Sequence, residues 1–254
     1  MSQKKVAVIT GAASGIGQAL AVTFAREGIE VVAGFYERDP HDPQVTVDLV
    51  KEAGGNCIAV AVDVASTSSV DGLIQEAIAH FGRVDIAVAN AGIVRAARFE
   101  DMTDEQWDQI INVDMTGVMR TFRSACRVMA EGGALIAISS FYGPYVGWPE
   151  HSHYSAAKAG IVGLTKALAV ELAPQGIRCN VVIPGIIRTP QSLDIVNSIG
   201  EEGLGRVASG IPFGRVGHAD EVAEAILYLA TDRARYITGH TLTVDGGLTA
   251  HWPG

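Results

Sequence analysis

Cysteine is scarce and scattered in this chain: Cys57, Cys126 and Cys179 are odd in number and far apart. That excludes a disulfide framework, offers no zinc-ligand spacing, and suits buried thiols in a reducing compartment. Positive charge is also short, with 19 Lys and Arg against 28 Asp and Glu for a net charge of -9. A nucleic-acid-binding surface is therefore not expected. The apolar run nearest the start, Val6-Ala7-Val8-Ile9, is broken by Thr10-Gly11 and is too short for a signal peptide or a membrane span. No internal repeat, linker, low-complexity run or composition break appears. The expectation is a cytoplasmic protein with one domain over residues 1–254 and no membrane or nucleic-acid partner.

Hydrophobic residues make up 48% of the 254 positions, enough to bury a large α/β core. The segment from Lys5 to Thr10 reads as a buried strand. Gly11-Ala12-Ala13-Ser14-Gly15-Ile16-Gly17 reads as a glycine-rich turn, Gln18 to Glu27 as a helix closed by Gly28, and Val31 to Phe35 as a second strand. Glycines at such a turn let backbone approach a pyrophosphate, and the helix N-terminus adds free N–H groups and a positive dipole end. Further strands are expected at 58–62, 84–89, 134–139, 178–183 and 237–247. Helices are expected at 45–53, 70–81, 156–173 and 219–229, with one long helix from Thr103 toward Met129. This alternation predicts a doubly wound, Rossmann-like parallel sheet with helices on both faces.

A second constellation carries chemistry. Tyr154 and Lys158 are one helical turn apart and share a face. A lysine cation beside a phenol favours the phenolate, so Lys158 is expected to lower the Tyr154 pKa into the general acid/base range. Ser140, at the end of the fifth strand, could donate to the same substrate oxygen; Ser139 is the alternative. The loop 141–153 holds Phe141, Tyr142, Tyr145, Trp148, His151 and His153 and should wall a pocket. The two histidines read as pocket-rim or interface residues, because no ligand cluster surrounds them and no metal is expected.

Thr10-Gly11-x-x-x-Gly15-x-Gly17 together with Tyr154-x-x-x-Lys158 resembles the short-chain dehydrogenase/reductase family. The resemblance spans nearly the whole chain and extends to its 3-oxoacyl-carrier-protein reductases and its sugar or polyol dehydrogenases. It implies an NAD(P)-dependent oxidoreductase moving a hydride between nicotinamide and a ketone or secondary alcohol. By resemblance, Gly11, Ser14, Gly15, Ile16 and Gly17 would cradle the pyrophosphate, and Asp63-Val64 would contact adenine. Ala89-Asn90-Ala91-Gly92 stands where the family shows Asn-Asn-Ala-Gly, with one amide lost, and Asn90, Ala91 and Gly92 would border the cofactor. Asn112 matches the asparagine whose water links the lysine to solvent. Pro184, Gly185, Ile187 and Thr189 would cover the nicotinamide, while Tyr154 and Lys158 would also hold its ribose.

The residues leave several points open. The position whose acidic side chain would bind the adenosine ribose is Phe35, and nearby Arg38 tilts the cofactor slightly toward NADP over NAD. The aromatic loop suggests a neutral or weakly polar substrate, qualified by Arg95 and Arg98. Residues 191–214 are glycine-rich and weakly periodic, where a mobile lid would lie. The sparsely charged helix 156–173 suggests burial against another subunit in a dimer or tetramer, with the tail 251–254 also packing on a neighbour. The rival reading is a catalytically idle NAD(P)-binding sensor or scaffold.

Overall fold

The computed structural model describes residues 4–251. Seven strands form one wholly parallel sheet in the order β3-β2-β1-β4-β5-β6-β9. They are β1 Val6–Thr10, β2 Glu30–Phe35, β3 Cys57–Ala61, β4 Ile86–Ala89, β5 Ala134–Ile138, β6 Arg178–Pro184 and β9 Thr241–Val244. A small parallel pair, β7 Ile187–Arg188 and β8 Gly217–His218, stands apart. The expected doubly wound sheet is thus present, with strand ends within a few residues of their sequence-derived positions.

Strand pleating explains why both faces are apolar. Ala7 and Ile9 of β1 point into one core with α1 (Gly15–Arg26) and α9 (Ala219–Ala230). Val6 and Val8 point into the other with α3 (Thr67–Phe81), α5 (Gly117–Cys126) and α6 (Ser152–Leu172). A strand sandwiched between helix layers must be apolar on both sides, so β1 reads as an unbroken hydrophobic run and not as an alternating one. Strand order reverses between β1 and β4, and a crevice opens there at the carboxyl edge.

Two expected elements differ. The long helix from Thr103 is α4 (Asp104–Ile110), then a π-helical turn over Ile111–Thr116, then α5. It begins as expected, with Thr103 and Gln106 forming a reciprocal cap. The wider turn rotates every later side chain relative to a regular helix. The segment after Thr189 also contains structure that its weak periodicity hid: α7 (Pro190–Leu193) and α8 (Gly200–Ala208). The expected helix α2 is Pro43–Glu52, capped by Asp42. Of the tail, residues 252–254 lie outside the described residues.

Candidate active site

The glycine turn runs from the end of β1 into α1. Ser14 caps α1 in extended conformation without a side-chain cap bond, and no acidic residue sits in the first turn. The dipole end is therefore free to face an anion. Gly17 is buried behind the turn, where an added Cβ would meet the Gly11 carbonyl oxygen at 2.2 Å and the Asn90 side chain at 2.7 Å. The Asn90 amide donates to the carbonyls of Thr10 at 3.0 Å and Gly11 at 2.9 Å. The Thr10 hydroxyl accepts from the Asn90 and Ala91 amides, each at 3.1 Å. Asn90 thus fastens the turn to the end of β4.

Three adjoining hollows follow the sheet edge. The first is bordered by Gly11, Phe35, Tyr36, Asp39, Asp63, Val64, Ala91 and Asn112. The second runs past Ser14, Gly15, Ile16, Asp39, His41 and Thr189. The third holds Ser140, Tyr154 and Lys158, walled by Phe141, Tyr142 and Trp148 and by Pro184, Gly185, Ile187 and Thr189. Gly92 borders all three. Glycine turn, uncapped helix end and continuous cleft fit a dinucleotide cofactor laid across the switch point.

Within the third hollow, Tyr154 and Lys158 lie on α6 and are almost fully buried, with Lys158 Nζ 5.4 Å from the Tyr154 ring centre. The Ser140 hydroxyl lines the same cavity as Tyr154, lowers the Tyr154 pKa and accepts from the Tyr142 amide at 3.2 Å. Ser139 turns the other way and donates to the Lys158 carbonyl at 2.8 Å. That distinguishes the two serines: Ser140 faces the cavity, and Ser139 anchors the helix. Lys158 Nζ donates to the Ile138 carbonyl at 3.3 Å and pairs with Asp114 Oδ2 at 3.1 Å.

Asp114 is a residue that the sequence reasoning missed. It sits in the π turn, wholly buried, and its Oδ1 accepts from the Ile93 amide at 2.8 Å. Asn112, expected beside the lysine, faces elsewhere. Its side-chain oxygen accepts from Arg120 Nη2 at 2.8 Å and its backbone oxygen from Arg120 Nη1 at 3.1 Å, and it borders the first hollow. The available signal was a carboxylate amid Val113-Asp114-Met115, an unfavourable residue to bury in a helix without a partner.

The electrostatics also correct an expectation. Burial works most strongly against the Lys158 ammonium, but the Asp114 carboxylate and the Tyr154 phenol together outweigh it and hold Lys158 above the usual lysine range. Tyr154 stands above an ordinary phenol, not below it. Burial raises it most and the Asp114 charge adds to that, while Lys158 and the Ser140 hydrogen bond pull the other way without prevailing.

Arg38 is exposed and borders none of the three hollows, whereas Asp39 borders two and pairs with His41 Nδ1 at 2.6 Å. The Thr189 hydroxyl caps α7, accepting from the Ser192 amide at 3.3 Å. Arg95 borders the first two hollows, and exposed Arg98 pairs with Glu100; neither lines the third. Trp148 is stacked between Tyr142 at 4.4 Å and His151 at 3.7 Å and meets Tyr154 edge-on. His151 Nε2 lies 3.2 Å from the Asn197 carbonyl, tying the aromatic loop to the segment between α7 and α8. His153 is fully buried, with its Nδ1 accepting from the Tyr154 amide. Among the described residues, no three His, Cys, Asp or Glu side chains group as a metal site requires. Nor is any described helix long and apolar enough to cross a membrane.

Residues 11–249 match the family described as Enoyl-(Acyl carrier protein) reductase. The chain is 39% identical over 249 residues to the 3-oxoacyl-[acyl-carrier-protein] reductase FabG of Thermotoga maritima, covering 96% of this chain and 97% of that one. It is 40% identical over 250 residues to 3beta-hydroxysteroid dehydrogenase 1 of Eggerthella lenta, covering 97% and 94%. The same identity over 250 residues relates it to L-rhamnose 1-dehydrogenase (NAD(P)(+)) of Azotobacter vinelandii, covering 96% of each. Among solved structures, a short-chain type dehydrogenase/reductase from Mycobacterium marinum superposes with a TM-score of 0.91 at 37% identity, covering 97% and 96%.

Proposed function

Because the chain belongs to the short-chain dehydrogenase/reductase family and is an NAD(P)-dependent oxidoreductase, we propose that Tyr154, Ser140 and Lys158 carry its proton chemistry. The substrate proposed is a neutral or weakly polar ketone or secondary alcohol. When bound, the nicotinamide supplies or accepts the hydride. Tyr154 donates the proton to the substrate oxygen in reduction and takes it back in oxidation, and Ser140 donates a hydrogen bond to that oxygen. The observation that carries this reading is their convergence: a buried phenol, a serine hydroxyl and an ammonium over the phenol ring share one cavity. An idle sensor would have no use for that buried group.

Phe141, Tyr142 and Trp148 support an apolar substrate, and among the described residues Lys158 is the one Lys or Arg bordering the cavity. The relatives are named for an acyl-carrier-protein conjugate, a steroid and a sugar, so the substrate class rests on this cavity. For the cofactor, Asp39 supports NAD. A carboxylate bordering the hollow beside Phe35 accepts from ribose hydroxyls and repels a 2′-phosphate, and Arg38, which tilts the sequence toward NADP, borders no hollow described.

Residues 1–254 are read as one dinucleotide-binding and catalytic domain, and the free thiols support a cytoplasmic setting. Ala156, Ala159, Gly163, Ala167 and Val170 form an exposed stripe of small and apolar residues on α6, with Val170 78% accessible. That supports a homo-oligomer, dimer or tetramer, with this face covered. Light scattering should give a mass of two or four chains; a monomer would refute it.

The test of the proton donor is Tyr154→Phe, assayed by nicotinamide absorbance against a panel of ketones and alcohols. Turnover should fall by roughly 10²–10⁴-fold with cofactor binding retained. Unchanged turnover removes Tyr154 from the reaction.

A further inference from the structure

The Asp114–Lys158 pair has a consequence for the pH at which the reaction runs. Asp114 is held in place from two sides, by the Ile93 amide on one oxygen and by Lys158 on the other. Among the described residues Oδ2 has no partner besides Lys158. Gly92 lets the pair form: a Cβ there would lie 2.9 Å from Asp114 Oδ2 and 3.2 Å from Lys158 Nζ. The carboxylate therefore meets the ammonium directly behind the Asn90-Ala91-Gly92 turn, with Asp114 wholly buried and Lys158 reaching the cavity.

We propose that Asp114 is a positioning residue that offsets the charge of Lys158, keeps Tyr154 protonated through neutral pH, and so suits the site to carbonyl reduction. This rests on Tyr154 being the proton donor. Reduction needs the phenol: hydride goes to the carbonyl carbon, the Tyr154 proton to its oxygen, and the phenolate regains a proton from solvent. Oxidation needs the phenolate to take the alcohol proton. A group that disfavours the phenolate leaves reduction running at neutral pH and moves oxidation to alkaline pH, while the overall equilibrium is untouched. The other groups facing Tyr154 do not reverse this. Lys158 and Ser140 lower it, and Tyr142, whose own phenol is raised by burial, stacks on Trp148. His153 on the same helix is pushed toward its neutral form by burial and by His151. Burial raises the Asp114 carboxyl above the usual range, while Lys158, the Ile93 amide and, most weakly, Arg95 favour its charged form.

The experiment is an ultraviolet titration of tyrosinate absorbance in the cofactor-free protein, with the Tyr154 contribution isolated by subtracting Tyr154→Phe. Asp114→Asn keeps the shape and the acceptor for the Ile93 amide while deleting the charge. It should lower the Tyr154 midpoint by roughly one to three pH units, and the alkaline rise of alcohol oxidation should move down with it. An unmoved midpoint overturns the proposal even if the variant is less stable, because a merely structural Asp114 would change melting and not the titration. If Asp114→Asn does not fold, the unsubstituted protein decides: a Tyr154 midpoint below that of an ordinary tyrosine overturns the proposal. Failure of the donor role is separable, since it would show as retained turnover in Tyr154→Phe whatever the titration gave.

Discussion

At the glycine turn the chain brings its backbone close by leaving side chains out, whereas at the Tyr154 cavity it buries charged and polar side chains against one another. Gly17 packs where a methyl group would sit 2.2 Å from a carbonyl oxygen. Far along the chain from that turn, Asp114 and Lys158 pair at 3.1 Å with almost no solvent contact. The first end recognises features common to every dinucleotide, so backbone amides and a helix dipole suffice. The second must move one proton at one oxygen, which requires titratable groups whose environment sets their ionisation. Binding and chemistry are therefore separable in this fold, and substitutions should separate them.

The largest effect is expected at the second end. If the ends are independent, Tyr154→Phe cuts turnover by roughly 10²–10⁴-fold while nicotinamide fluorescence titration gives an unchanged dissociation constant; a weakened one would show that the phenol also holds the cofactor. Next comes Gly17→Ala. Overpacking costs about 1–3 kcal/mol and falls on the turn and its Asn90 fastening, so cofactor affinity should drop roughly tenfold to a hundredfold. Stopped turnover with unchanged cofactor affinity would break the comparison. The smallest effect belongs to the rim. Asp39→Asn removes a half-exposed carboxylate, and relative affinity for NADPH over NADH should rise roughly two- to fivefold. No change would remove Asp39 from cofactor choice.

Much of this architecture was legible in the sequence because it depends on local rules. Strands buried on both faces are apolar runs, and Gly11, Gly15 and Gly17 mark a turn between strand and helix. Tyr154 and Lys158 share a face because a helix turns every 3.6 residues. Asp114 was not legible for the converse reason. A regular helix from Thr103 toward Met129 puts residues 112 and 114 on faces that the π turn at Ile111–Thr116 then rotates, so Asn112 meets Arg120 and Asp114 meets Lys158. Asp39 escaped notice because a carboxylate in a polar loop has no periodicity to place it.

By itself, then, the amino-acid order determined the sheet, the cradle and the phenol–ammonium pair, since each is written within a turn or two of chain. Only the tertiary structure decided which serine faces the cavity, which acid meets Lys158 and in which direction Tyr154 titrates. Ionisation inside a protein depends on burial and on charges brought close from distant segments, and those distances exist only once the chain has folded.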